Sequence, residues 1–99
     1  MDASAVTTAV HQVLARIQSA QKLNCPELGD NLKPLKDLER FDSPMSLAAT
    51  GMIGRKLGLT IPPKTNVFGN KSGLFTLKQT VAFLCKLADE QQKKEIMKV

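Results

Sequence analysis

Residues 38–63 read LERFDSPMSLAATGMIGRKLGLTIPP, and the fold turns on what Ser43 does in the middle of them. A serine hydroxyl placed before Pro44 can accept a hydrogen bond from a free amide, and proline is tolerated in the first helical turn. The pair therefore predicts a helix from about Pro44 to Leu57 with Ser43 as its cap. Leu47, Ile53 and Leu57, with the small Ala48 and Thr50, supply the expected inner face. Gly51 and Gly54 each cost such a helix roughly 1 kcal/mol relative to alanine, so packing must hold it. Gly58 suits a left-handed C-cap, and Pro62 with Pro63 forbids continuation.

Upstream, Val6, Val10, Val13, Ile17 and Ala20 recur every three or four residues, with Ala9 and Leu14 beside them, and predict a first helix. Asp2 or Ser4 can cap it, and Asn24 and Pro26 end it. Residues 24–42 hold Gly29, Pro34 and several charges, yet Leu28, Leu32, Leu35, Leu38 and Phe41 return at regular intervals. This predicts a loop pinned by apolar anchors and packed over a helix end. Downstream, residues 64–75 are rich in Asn, Gly and Lys around Val67 and Phe68. They predict a second loop with at most one helical turn, whose apolar pair plugs the bundle. Thr76 and Gln79 have the spacing of a capping box, and Leu77, Val81, Leu84, Cys85 and Ala88 form the inward stripe of a last long helix. The tail from residue 91 to 99 has little apolar surface and is expected to be a charged, fraying extension of a domain spanning residues 1–90.

The chain has 99 residues and 42% apolar composition, which fits one compact domain with a small core. No stretch approaches the roughly 18 apolar residues a membrane span requires, and the N-terminus lacks a signal-like pattern. A soluble cytoplasmic protein is expected. Cys25 and Cys85 stand far apart without CxxC or paired His, so reduced thiols are expected rather than a zinc site or a disulfide framework. His11 falls off the first stripe and reads as an ordinary solvent-facing residue. With this one His and carboxylates scattered over different segments, acid–base catalysis has no assembled machinery.

The net charge is +5, and no Asp or Glu occurs from Ser43 through Ala88, where Arg55, Lys56, Lys64, Lys71, Lys78 and Lys86 lie. This half is either simply solvated or projects a positive field toward partners. The four aromatic residues, all Phe, make a poor stacking platform for single strands. A helix-turn-helix over residues 58–88 would have only Lys78, Gln79 and Thr80 near the start of its last helix, too little to read bases. Nucleic acid is not the expected partner.

Taken together, Asp42-Ser43, the apolar Leu47, Ile53 and Leu57, Ile61-Pro62 lying 18 and 19 residues beyond Ser43, the approach LKDLERFDS and the Thr-led FTLKQTVAFL resemble the acyl and peptidyl carrier proteins. The resemblance covers most of the chain, though only its centre is motif-like. It implies an all-α, acyl-carrier-protein-like four-helix bundle of three longer helices plus one short helical turn, expected to be monomeric. It implies that the Ser43 hydroxyl is joined to 4'-phosphopantetheine by a phosphopantetheinyl transferase, with Asp42 helping to present the serine and its magnesium. The phosphate would sit beside unpaired amides at the positive end of the helix. The arm's thiol would then hold acyl groups as thioesters for lipid or secondary-metabolite synthesis. Ser46, one turn on, lacks the preceding Asp.

This sequence departs from the family at two places. Pro44 stands where the family has Leu, and Arg55 and Lys56 replace the usual acidic surface of the second helix. Like charges facing each other slow encounter, so acyl-activating or acyl-transferring synthases with an acidic or apolar docking face are expected, meeting Met45, Arg55 and Lys56. The alternative is a relative that keeps the bundle, carries nothing, and acts as a protein-interaction module.

Overall fold

The structure, a computed structural model, describes residues 2–62, 65–70 and 73–97, with side chains described as far as Gln91. Pro63, Lys64 and Lys71 lie outside the described residues. The chain is mostly helical: α1 (Ala3–Ala20), α2 (Pro34–Asp37), α3 (Ser43–Leu57) and α4 (Leu77–Met97), with a small hairpin of β1 (Gly69–Asn70) and β2 (Gly73–Leu74). The strands pair antiparallel, Gly69 opposite Leu74 and Asn70 opposite Gly73. Three longer helices and one short turn match the expected helix inventory. The short turn, however, belongs to the first connection; the described residues of the second hold the hairpin and no helical turn.

Helix α1 is capped by Asp2, whose carboxylate accepts from Ser4 N. Its buried stripe is Val6, Ala9, Val10, Val13, Leu14, Ile17 and Gln18. Ala20, expected on that stripe, is exposed. Gln18 takes the last inward place because its Nε2 donates to Glu39 O at 2.9 Å, tying α1 to the segment before α3. The helix stops before Asn24 and Pro26: Lys22 turns left-handed at φ 60, and Leu23 N closes onto Gln18 O at 2.9 Å. This arrangement satisfies carbonyls that the helix end would otherwise leave bare.

The first connection does pack over a helix end. Leu77 N donates to Leu32 O at 2.8 Å and Lys78 N to Asp30 O at 3.0 Å, so its carbonyls satisfy first-turn amides of α4. The capping box completes that turn: Gln79 N donates to Thr76 Oγ1 at 3.2 Å, and Thr76 N to Gln79 Oε1 at 2.9 Å. Helix α4 then continues through Met97, well into the segment expected to fray. Gln91 fastens it there, its side chain bonded to both the N–H and the C=O of Thr60.

At the centre, Val67 and Phe68 are fully buried, the plug expected from the sequence. The Phe68 ring meets Phe41 edge to face, centroids 5.3 Å apart and planes at 87°, a favoured aromatic geometry. Val10, Leu14, Ile53, Leu77 and Leu84 belong to the same core.

Candidate functional site

The approach to α3 determines what Ser43 presents. Leu38 and Phe41 are buried, and between them Arg40 adopts a left-handed φ of 55. That turn, with Phe41 anchored inward, leaves Asp42 extended (φ −94, ψ −175) as the N-cap of α3. Asp42 Oδ1 accepts from Met45 N at 3.1 Å, and Asp42 O accepts from Ser46 N at 2.9 Å. The capping role expected of Ser43 is therefore performed by Asp42, and the helix begins one residue earlier than expected. A cap needs non-helical backbone, which the Arg40–Phe41 turn imposes on residue 42. Its full negative charge also suits the positive helix end. Ser43 is consequently the first helical residue, exposed, its hydroxyl without a hydrogen-bond partner among the described residues.

The floor beneath it is a set of buried hydroxyls. Ser46 Oγ donates to Ser43 O at 2.8 Å and accepts from Asn66 Nδ2 at 2.6 Å. Thr50 Oγ1 donates to Ser46 O at 2.8 Å and accepts from Val67 N at 3.2 Å. From α4, Thr80 Oγ1 donates to Val67 O at 2.8 Å. The inner face of α3 is thus Ser46, Ala49, Thr50, Ile53 and Gly54, while Leu47, expected inside, is 41% exposed and Ala48 is exposed too. The physical reason is that the second connection brings the Val67 N–H and the Asn66 side-chain amide to α3, which hydroxyls satisfy and a leucine would not. Ser46, buried with both sides of its hydroxyl engaged, is a structural residue.

Pro44, Leu47, Ala48 and Gly51 form an uncharged, exposed strip on α3, ending at exposed Arg55 and Lys56. Leu47 lies four residues beyond Ser43, only about 40° around the helix from it. Its spacing from Ser43 was the signal that could have assigned it outward. Of the three expected docking residues, Arg55 and Lys56 are exposed, but Met45 is half-buried against the core.

An anion on Ser43 Oγ would feel the helix dipole but find few free amides. Pro44 has none, Met45 N–H is held by Asp42, and Ser46 N–H bonds Asp42 O. This corrects the expectation of unpaired amides around a phosphate. What suits a tethered group here is access and an unengaged hydroxyl.

Comparison with protein-family models, curated proteins and solved structures finds no match. Among the described residues no cluster of three or more His, Cys, Asp or Glu could hold a metal, and no helix is long and apolar enough to cross a membrane. His11 is half-buried instead of solvent-facing, and Cys25 and Cys85 are half-buried free thiols. Burial pushes the Cys25 thiol up from its ordinary range, which makes it a poorer nucleophile.

Proposed function

We propose that the chain is a carrier protein in which Ser43 Oγ is esterified to 4'-phosphopantetheine. The observation that carries this reading is the Ser43 hydroxyl: exposed in the first turn of a 15-residue helix, and relieved of capping by Asp42. The bound arm supplies a thiol that holds acyl groups as thioesters. The chain's own residues hold and present it: Asp42 fixes the start of α3, while the Ser46–Asn66 and Thr50–Val67 bonds keep the floor from shifting. A phosphopantetheinyl transferase loads Ser43, and acyl-activating or acyl-transferring synthases dock on the uncharged strip through Leu47. Arg55 and Lys56 select partners with acidic rather than basic faces. Lipid or secondary-metabolite synthesis in the cytoplasm, by a monomer, is the setting that goes with this role.

A second reading rests on Pro44, which stiffens the backbone at the reacting residue and removes an apolar contact: the bundle is not modified and serves as an interaction module. Intact mass after incubation with coenzyme A, magnesium and a broad-specificity transferase separates the two. A gain of one phosphopantetheinyl group, abolished in Ser43→Ala, supports the carrier. No gain with any transferase tried, including one from the same cells, supports the module.

A further inference from the structure

The basic end of α3 meets a feature that the Ser43 face does not explain. An open cleft of about 460 Å³ lies between α1 and α3, lined by Gln12, Val13 and Arg16 on one side and Met52, Arg55 and Lys56 on the other. It runs on into a shallower depression that shares Gln12 and Lys56 and follows α1 back to Asp2. From Asp2 to Arg16 is about 21 Å of helix at 1.5 Å per residue.

Charge in the main cleft is one-sided, with Asp2 at the far end of the extension the carboxylate of the groove. Arg16, Arg55 and Lys56 are all exposed, none has an ion-pair partner among the described residues, and no carboxylate lines the main cleft. The carbonyl end of α3 offsets only roughly half a unit of charge, so about two and a half positive charges are left uncompensated. Between them Val13 and half-buried Met52 give an apolar floor.

We infer that this groove docks an acidic segment of a partner protein, its carboxylates meeting Arg16, Arg55 and Lys56 and an apolar side chain seated on Met52. Charge complementarity favours an acidic partner, and the apolar floor favours a protein over a phosphate backbone, which has nothing to place on a methionine. No aromatic residue lines the cleft to stack a base. Most of the groove sits apart from the Ser43 face: Met52 and Lys56 lie roughly 180° and 140° around α3 from Ser43, while Arg55, at roughly 120°, stands where the groove borders the Leu47 strip. A partner held here leaves Ser43 and Leu47 uncovered, while it occupies the Arg55 and Lys56 that border the strip. The inference does not require Ser43 to be loaded.

The test uses the full chain and a labelled peptide of about 14 residues, long enough as a helix to span the groove, with Glu on one face and Leu on the other. A Lys-for-Glu version and an oligothymidine serve as competitors. The groove account expects saturable, salt-sensitive binding that shifts the amide resonances of Gln12, Arg16, Met52, Arg55 and Lys56. The double charge reversal Arg16→Glu with Lys56→Glu, both exposed and structurally undemanding, should weaken it by about tenfold or more, the scale of losing two exposed pairs. Ser43→Ala should leave it unchanged, so loss of loading and loss of docking are read separately. Absence of binding, shifts centred on Leu47 instead, or tighter binding of oligothymidine at the same residues would each overturn it.

Discussion

Asp42 caps α3 where Ser43 was expected to, and leaves the Ser43 hydroxyl unengaged, so substitution can separate the cap from the proposed attachment point. Asp42→Ala removes the bond to Met45 N and should lower stability by about 1 kcal/mol in urea unfolding. Asp42→Asn keeps a capping oxygen and should hold stability near wild type. Under the carrier reading both variants load more slowly, by roughly tenfold or more, the scale of one lost charged contact. An Asn variant loading at the wild-type rate would remove the proposed carboxylate role. Two glycines of α3 make an opposite pair. A Cβ at Gly51 meets nothing within 4 Å, whereas at Gly54 it would lie 3.0 Å from Ile61 Cδ1 and 3.3 Å from Leu59 O. Gly51→Ala should therefore stabilise by roughly 0.5–1 kcal/mol in urea unfolding, while Gly54→Ala should destabilise. At this scale the sequence pointed to the start of α3 but not to which of its two residues caps the helix. Asp42 and Ser43 are adjacent, and the left-handed turn at Arg40, with Phe41 anchored against Phe68, leaves Asp42 as the non-helical one.

Among the elements, α1, α3 and α4 were legible because each carries a long periodic pattern and end signals. The shorter elements were not. Pro34 reads as a breaker inside a charged stretch, yet it stands at the start of α2, where its missing N–H is harmless. The hairpin strands are two residues each, too short for alternation to show, and they are fixed by backbone pairing. Leu47 was misassigned for a related reason: hydropathy cannot reveal that the facing connection needs hydroxyls. That need is measurable. Thr50→Val strips the acceptor from Val67 N, and Thr80→Val strips the donor from Val67 O. Each should cost about 1–3 kcal/mol, the penalty for a buried backbone group left unpaired. Because both hold the same residue, the double variant should lose measurably less than the sum of the two single losses. Strict additivity in denaturant titrations would mean that the two bonds do not act together on Val67.

For the molecule as a whole, one core joins all the longer helices, with Phe68 at its centre and fully buried. A domain of this size typically has about 5–15 kcal/mol of stability in total, and a buried Phe→Ala costs about 3–5 of it. Phe68→Ala should therefore lower the unfolding midpoint by far more than any surface change, and an unchanged midpoint would contradict the plug. The excess of positive charge was legible from composition, but the meeting of three basic residues in one groove was not, because Arg16 and the Arg55–Lys56 pair come from different helices. The carrier reading itself depends on a single oxygen atom. Fragmentation mass spectrometry of the protein taken from its own cells tests it most directly: one phosphopantetheinyl group on the peptide containing Ser43 is the predicted result, and a Ser43 that is unmodified in every molecule would contradict it.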